Sequence, residues 1–277
     1  MLDMHLHTKW SDGNLEVAEL VKKLAMHGVN YAVLTDHDCI LGNEEFKKTA
    51  NENNIKTIKG VELECYYDVN NSYYLHMLCY DFKDSKKLND FLENLRNDRI
   101  EALKTAIKKL EYHGEVIKLD EVKQMSCGRH LLINHLCILL EKNKFVKSRY
   151  DAYQMFLNPN SDFYINYPKI TVEDMLKMIQ DVGGIPVLAH PKRINMNKKE
   201  LEDYIFYLKQ LGLQGIETYY SFNTDEDTKF SEYLSNKYGL IDTIGSDWHW
   251  EEEKIQFGYK NVPEEKEMVL KRRLFNE

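Results

Sequence analysis

The amino-acid sequence predicts an α/β fold with seven strands and one helical insertion. Short apolar runs alternate with helix-like patterns, as expected for β/α units around a parallel sheet. The alternation stops at about residue 88 and resumes near residue 169, and only helical periodicity is present between these points. We therefore expect a barrel domain made of residues 1–87 and 169–277, interrupted by a helical subdomain at residues 88–168.

Each predicted strand is a short apolar run, with four runs before the insertion and three after it. They occupy residues 1–6, 31–35, 57–63, 73–80, 185–189, 215–218 and 240–245. The first helix is indicated by an apolar face that runs from Val17 to Leu24, and Gly28 ends it. After the insertion, Thr171 and Asp174 resemble a capping box that opens another helix.

Composition limits the kinds of partner. The chain has 37 Lys and Arg against 45 Asp and Glu, which argues against a protein that coats nucleic acid through basic charge. An anionic substrate is compatible with this balance, because bound divalent cations can reverse the local field. The first residues lack the pattern of a signal peptide, and no apolar run is long enough to span a membrane. The five cysteines form no C-x-x-C pair, so we expect reduced thiols in a cytoplasmic protein.

Seven of the ten histidines lie at or just beyond the end of a predicted strand, or in the loop that follows. In a parallel barrel the carboxyl ends of the strands converge on one mouth, so residues remote in sequence can meet there. His5 and His7 lie on the same side of an extended strand, and Asp247 and His249 repeat this spacing. Imidazoles and carboxylates together are ligands for Zn²⁺, Mn²⁺ and Fe²⁺. The seven histidines are His5, His7, His37, His76, His130, His190 and His249.

Glu62 lies inside an apolar run, where an unpaired carboxylate would be costly, and a metal ion is the simplest partner for it. Other interpretations stay open for several polar residues. His76 could be a hydrogen-bonded core histidine, and Asp36 and Asp38 could either orient imidazoles or cap local elements. Three histidines in helical patterns are interpreted as ordinary surface or core residues: His27, His113 and His135.

Several of these motifs occur together in one known family. They are DMHLHT at residues 3–8, SDG at 11–13, TDHD at 35–38, GVE at 60–62, His76, GRH at 128–130, AHP at 189–191 and GSDWH at 245–249. In type and order they resemble the motifs of the polymerase and histidinol phosphatase (PHP) family, and they span almost the whole chain. The resemblance implies a distorted (β/α)7 TIM-like barrel, in agreement with the seven strands counted above.

The resemblance also implies two or three divalent metal ions, Mn, Fe or Zn. The first would be held by His5, His7, Glu62 and Asp247. The second would share Glu62 with His76 and His130, and the third would be held by Asp12, His37 and His249. Two residues are interpreted as catalytic rather than as ligands: His190, which would face the phosphate or its leaving oxygen, and Arg129, which would bind phosphate oxygens.

A PHP-like protein would be a hydrolase in which a hydroxide activated by the metals attacks the phosphorus of a phosphate ester. The layout is most similar to nucleoside 3′,5′-bisphosphate phosphatases and to exonucleases that trim the 5′ end of short RNA. The expected partner is therefore a small phosphorylated nucleotide or a short RNA. That subgroup usually has a proline between the arginine and the histidine that are adjacent here as Arg129 and His130.

Two other functions stay open. A phosphatase of the histidinol-phosphate or sugar-phosphate type would share the metal site and differ in the pocket wall. A regulatory metal-binding module would have the site without turnover. Basic residues in the insertion could guide an RNA strand or form a solvated helix face; these are Arg96, Arg99, Lys104, Lys108 and Lys109.

Overall fold

The computed structural model describes residues 1–70, 73–83, 85–114, 117–126, 131–250, 255–259 and 262–276. All seven predicted strands are found within these ranges, and the predicted mixed α/β class is confirmed. The strands are β1 (Leu2–Leu6), β2 (Tyr31–Leu34), β3 (Gly60–Asp68), β4 (Tyr73–Tyr80), β5 (Ile185–Leu188), β6 (Gly215–Tyr220) and β7 (Ile241–Gly245).

Ten α-helices and a short 3₁₀ helix at Pro191–Arg193 accompany the strands in the same ranges. They are α1 (Val17–Met26), α2 (Asn43–Glu52), α3 (Lys86–Tyr112), α4 (Leu119–Met125), α5 (Ile133–Lys142), α6 (Arg149–Leu157), α7 (Val172–Asp181), α8 (Lys198–Gln210), α9 (Asp225–Tyr238) and α10 (Glu264–Phe275). Thr171 caps α7 as predicted, because its Oγ1 accepts the Asp174 N–H at 3.2 Å. None of the described helices is long and apolar enough to cross a membrane.

The strands form two hydrogen-bonded sheets. β1 and β2 are parallel and make the smaller sheet, and the larger one has the order β3-β4-β5-β6-β7. Isolated bridges join the two sheets at both junctions: Leu6 pairs with Trp248 beyond β7, and His37 pairs with Glu62 in β3. The described residues therefore lack the continuous backbone pairing of a closed barrel, although single bridges join the end of β1 to the segment after β7 and the segment after β2 to β3.

Strand β4 departs from the predicted parallel arrangement. It pairs antiparallel with both β3 and β5. Only residues 69–72 separate Asp68 from Tyr73. A parallel crossover needs about a dozen residues or more, so this short connection can form only a hairpin. The expectation of a wholly parallel sheet is wrong at this strand.

The hydrophobic core has separate parts in the sheets and in the insertion. Side chains from β1, β2, β4, β5 and β7 meet in one buried cluster. This cluster includes Met4, Val33, Leu78, Val187 and Ile244. The insertion has a buried cluster of its own, in which Leu136 and Leu140 of α5 pack with Phe156 of α6.

Substitution of Phe156 tests the packing of the insertion. Its side chain is fully buried, and we expect Phe156→Ala to lower the free energy of unfolding by about 3–5 kcal/mol, because the ring leaves a cavity behind. Urea unfolding followed by circular dichroism measures this change. Tyr112→Ala is the control, since Tyr112 is 88% exposed on α3 and its loss should cost less than about 0.5 kcal/mol. Equal losses in the two variants would contradict the packing described here.

Candidate metal centre

Four buried side chains from β1, β3 and the segment after β7 meet at one point. His5 Nε2 and His7 Nε2 each lie 3.1 Å from Glu62 Oε2. The same two nitrogens each lie 3.3 Å from Asp247 Oδ1. Atoms bound at about 2.0–2.2 Å to a tetrahedral ion lie about 3.4 Å apart, so the spacing of these four ligand atoms fits a single cation.

Buried polar atoms without a hydrogen-bond partner are concentrated in this region. The described residues contain nine such side-chain atoms, and four of them are His5 Nε2, His7 Nε2, Asp12 Oδ1 and Glu62 Oε2. Buried polar groups in proteins nearly always have a partner, because leaving one unpaired is costly. Cations placed among these atoms would satisfy them. The residues present therefore fit metal ions.

A second group of ligand atoms adjoins the first around Asp12. His249 Nε2 lies 3.3 Å from Asp12 Oδ1, and His37 Nε2 lies 3.8 Å from it. The other ring nitrogen of His7, Nδ1, lies 3.9 Å from the same oxygen. The His7 and His249 rings stack with centroids 4.0 Å apart. His7 thus faces both groups, with one nitrogen toward each.

Glu62 connects a third group through its two oxygens. Oε1 lies 2.8 Å from His76 Nδ1 and 2.9 Å from His190 Nε2, whereas Oε2 belongs to the first group. His37 Nδ1 is 3.2 Å from Oε2. The ligand atoms of His37, Glu62 and His76 all lie within 4.8 Å of one another. A carboxylate with one oxygen in each of two groups has the geometry of a bridging ligand.

The structure brings together most of the side chains that the sequence predicts as ligands. Eight of the nine lie in these groups: His5, His7, Asp12, His37, Glu62, His76, Asp247 and His249. The ninth, His130, and the predicted catalytic Arg129 lie outside the described residues. His190, predicted to be catalytic, lies against Glu62 beside His76 and is almost fully buried.

Sequence reasoning missed Glu217, a fully buried carboxylate in β6. Its Oε1 accepts a hydrogen bond from His5 Nδ1 at 2.8 Å, and its Oε2 accepts the backbone N–H of His190 at 2.8 Å. Such a partner fixes the orientation and tautomer of a ligating histidine. The signal was present in the sequence, because Glu217 interrupts an apolar strand just as Glu62 does.

Asp36 and Asp38, whose roles the sequence left open, have different roles in the structure. Asp36 accepts hydrogen bonds from Thr8 N–H at 2.8 Å, Thr8 Oγ1–H at 2.7 Å and Ser11 Oγ–H at 2.5 Å, so it orders the turn after β1. Asp38 instead forms an ion pair with Arg99 of the insertion. The backbone of Asp38 has φ of 48°, in the left-handed region that non-glycine residues rarely adopt. Asp247 shares this feature with φ of 56°, as active sites often do.

The PHP domain family matches residues 3–167, which is more than half of the chain. The chain belongs to the PHP family. The family prediction made from the motifs is thereby confirmed, as is the predicted class of enzyme, a metal-dependent hydrolase of phosphate esters.

Two sequence relatives cover nearly the whole PHP chain. One is a 5′-3′ exoribonuclease of Haemophilus influenzae, 27% identical over 261 residues, which are 94% of this chain and 93% of the relative. The other is a 3′,5′-nucleoside bisphosphate phosphatase of Chromobacterium violaceum, 27% identical over 252 residues, which are 90% of this chain and 87% of the relative.

Solved structures show the same fold. An amidohydrolase from Chromobacterium violaceum with bound sulfate superposes with a TM-score of 0.83 at 25% identity, covering 95% of this chain and 92% of that chain. A structure from Bifidobacterium adolescentis described as a metal-dependent phosphoesterase has a TM-score of 0.81 at 21% identity, covering 100% of this chain and 98% of that chain. This second likeness concerns the fold alone.

The PHP centre opens into a cleft of about 330 Å³ between the sheets and the insertion. Asp12, His76 and His249 lie on its wall on the side of the centre, and Asn134 and Tyr153 of the insertion lie on the other side. Asn134 Nδ2 donates a hydrogen bond to Asp12 Oδ2 at 2.7 Å. The insertion therefore contacts a candidate ligand directly.

A buried arginine fixes the insertion to the PHP centre. Arg99 of α3 is 2% exposed, and its guanidinium donates to Asp38 and, at 3.1 Å, to Glu64 Oε1. Glu64 also accepts from Tyr66 Oη at 3.0 Å and Tyr153 Oη at 2.8 Å. The expectation that Arg99 lies on a solvated or RNA-guiding helix face is wrong, because its charge is neutralised inside the protein.

Charge coupling sets the protonation of the metal-free centre. Burial opposes protonation of His249, but the charges of Asp12 and Asp247 outweigh it and raise the pKa of the imidazole to about 10. Burial likewise opposes ionisation of Glu62, yet the histidines around it, led by His5, hold its pKa well below the usual range. The Asp12 and Asp247 carboxylates thus face a protonated His249, whereas burial holds the pKa of His37 well below its usual value and keeps that imidazole neutral.

Substitution of Gly245 tests the support of the centre by Glu217. A Cβ on Gly245 would lie 2.1 Å from Glu217 Oε1 and 2.4 Å from the Cβ of His5, so one of them must move. We expect Gly245→Ala to weaken metal binding about 10- to 100-fold, the usual effect of disturbing a ligand's hydrogen-bond partner. Metal titration with a competing chelator measures the affinity. Gly239→Ala is the control for a loss of stability away from the centre: its φ of 61° strains an alanine, but an added Cβ meets nothing there, so its metal affinity should not change. An unchanged affinity in Gly245→Ala would contradict the role of Gly245.

Metal binding is expected to release protons. Ligating imidazoles must be neutral, whereas the metal-free protein holds His249 protonated below a pKa of about 10. Metal affinity should therefore rise as the pH increases toward that value and fall as the pH drops, because protons compete for the same nitrogens. Calorimetric titration at pH 7 in two buffers of different ionisation enthalpy counts the released protons. A heat that is independent of the buffer would refute a protonated His249.

Proposed function

We propose that this PHP protein hydrolyses a phosphate ester of a nucleotide, either a 3′,5′-bisphosphate or a short oligonucleotide with a 5′ phosphate, with two or three divalent ions (Mn, Fe or Zn). The observation that carries the proposal is the buried Glu62 carboxylate, whose oxygens face two groups of imidazoles. The names of the two sequence relatives support a nucleotide or RNA substrate.

The proposed ligand sets follow the distances. His5, His7, Glu62 and Asp247 hold the first ion. Asp12, His37 and His249 hold another. A further ion would be held by Glu62, His76 and His190. The 2.9 Å contact of His190 Nε2 with Glu62 favours a ligand over a proton donor to the leaving oxygen. His130 and Arg129 keep the roles implied by the family resemblance, as ligand and phosphate-binding residue.

Bound divalent ions supply positive charge for the phosphate oxygens and lower the pKa of water. The chain's own residues orient the reacting groups around them. Arg193 Nη1 lies 3.1 Å from Asp247 Oδ2, is half-exposed in the cleft and has further N–H donors for an incoming phosphate. Tyr220 Oη donates to the same carboxylate oxygen at 3.2 Å, which holds Asp247 in place. Burial of the group formed by His5, His7, Glu62 and Asp247 excludes bulk water from these four side chains.

We also propose a distorted barrel with a helical subdomain beside it. The two sheets are the arcs of a distorted seven-stranded barrel, supported by the bridges at both junctions. Residues 88–168 form a subdomain that supplies one wall of the cleft, supported by the separate buried cluster of the insertion and by its contacts through Asn134 and Arg99.

A cytoplasmic location is also proposed. Among the described residues, four cysteines are buried free thiols: Cys39, Cys65, Cys79 and Cys137. Free thiols are typical of proteins in a reducing compartment, where disulfides are rare. Burial raises the pKa of the Cys39 thiol to about 12, so it is not a nucleophile at neutral pH.

The function is tested with ligand variants and a set of substrates. We expect His5→Ala and Asp247→Ala to lower kcat at least about 1,000-fold and to reduce bound metal, because each removes a ligand from the buried group. Hydrolysis of adenosine 3′,5′-bisphosphate, 5′-phosphorylated RNA and histidinol phosphate is measured by phosphate release, with metal content determined by mass spectrometry. His27→Ala is the matched control, because His27 directly follows α1, is exposed and hydrogen-bonds through its ring to the nearby backbone oxygen of Lys23. Wild-type turnover in both ligand variants would exclude the proposed centre, and preference for histidinol phosphate would exclude the nucleotide assignment.

A further inference from the structure

The rim of the cleft carries a guanidinium stacked on an indole. Arg149, the first residue of α6, places its Cζ 4.8 Å from the centre of the Trp250 ring. Trp250 directly follows His249, and the two ring centroids lie 5.3 Å apart. Both Arg149 and Trp250 line the same cleft as the metal centre. A large flat ring is thus held beside a candidate ligand, with a positive charge on it.

A comparable pair lies in the same cleft on the segments after β5 and β6. Arg193 Cζ lies 5.3 Å from the ring of Tyr220 and 5.5 Å from the ring of Phe222. Phe222 is 43% exposed, and Tyr150, next to Arg149, is 70% exposed. Neither aromatic belongs to a hydrophobic core cluster among the described residues. The cleft therefore contains aromatic faces and guanidinium groups that are not required for packing of the hydrophobic core.

The chemistry of these side chains selects a class of ligand. Aromatic rings stack on nucleobases of any kind, because every base has a π face. Guanidinium groups bind phosphate oxygens and also stack on flat rings. A sugar phosphate or an amino-alcohol phosphate would use the charges but has no flat ring to stack on the indole. A nucleotide would use both.

We propose that Trp250, held in place by Arg149, is the stacking surface for the nucleobase of the substrate. The inference rests on the proposed function, because it places the scissile phosphate at the metal centre one sugar away from the base. Trp250 is chosen over Phe222 because its ring lies directly beside His249 and presents the larger surface.

Because Arg149 belongs to the insertion, the Arg149–Trp250 pair makes substrate specificity depend on the insertion. Trp250 comes from the segment after β7, and Arg149 comes from the insertion, where Glu141 Oε2 lies 3.5 Å from its Nε. The subsite is complete only when the insertion is docked. Docking in turn depends on Arg99 with Asp38 and Glu64 beneath the cleft.

The test compares substrates with and without a base. The kcat/KM values for adenosine 3′,5′-bisphosphate and ribose 3,5-bisphosphate, which lacks the base, are measured by phosphate release for the wild type, Trp250→Ala, Trp250→Phe and Arg149→Ala. Trp250→Ala should raise KM for the nucleotide about tenfold, and its effect on ribose 3,5-bisphosphate should be several times smaller. Trp250→Phe should restore most of the loss, because it keeps an aromatic face. Arg149→Ala should have an intermediate effect on the nucleotide alone.

Tyr112→Ala is the control for removal of an aromatic side chain outside the cleft, since Tyr112 is 88% exposed on α3 and does not line it. Equal losses of kcat/KM on both substrates in Trp250→Ala would overturn the proposal. The Arg149–Trp250 stack would then be only a structural contact between the insertion and the sheets. No loss on the nucleotide would also overturn the proposal. These outcomes are distinct from failure of the proposed function, in which the wild-type protein would hydrolyse no nucleotide.

Binding of the base to Trp250 can also be measured without turnover. Adenosine 5′-monophosphate should quench the tryptophan fluorescence of the metal-loaded protein, and ribose 5-phosphate should not. Trp10 and Trp248 lie in or against a hydrophobic cluster and remain as internal references in Trp250→Phe, where the quenching should vanish. Quenching that persists in Trp250→Phe would place the base elsewhere.

Discussion

Five imidazoles share the two oxygens of one buried carboxylate, and this electrostatic constraint governs the rest of the molecule. Glu62 has no exposed surface, and five histidines place a ring nitrogen within 3.2 Å of it: His5, His7, His37, His76 and His190. A buried charge of this kind is stable only when opposite charge and hydrogen bonds surround it. The sheets, the turn ordered by Asp36 and the carboxylate of Glu217 all hold these rings around Glu62.

The antiparallel strand β4 is what allows one carboxylate to serve two groups. In the β3–β4 hairpin Glu62 pairs with Leu78, so His76 is its diagonal neighbour on the same face. That neighbour brings an imidazole to Oε1 while Oε2 faces the histidines of β1. A helical crossover at this point would have carried the chain away from Glu62. The departure from a regular β/α repeat therefore has a chemical role.

The candidate metal ligands could be predicted because their spacing and their position near strand ends are visible in the sequence, as in His5-Leu6-His7 and Asp247-Trp248-His249. The reversal of β4 and the location of Arg99 were not predicted, although each left a trace. The short connection before β4 excludes a crossover. Arg99 stands in the buried stripe of α3 between Leu95 and Leu103, where a lone charge indicates an internal partner. What no local pattern reveals is the identity of that partner, since Asp38 and Glu64 lie far away in the sequence.

The ion pair of Arg99 also constrains how such enzymes can diversify. Most surface insertions can be exchanged freely, because the rest of the protein depends only on the positions of their two ends. Here the insertion supplies the counter-charge for two acids that flank candidate ligands, so a foreign segment without it would leave Asp38 and Glu64 unbalanced inside the protein. Grafting new substrate walls onto this scaffold would therefore succeed only with donors that bring a basic side chain to the same place.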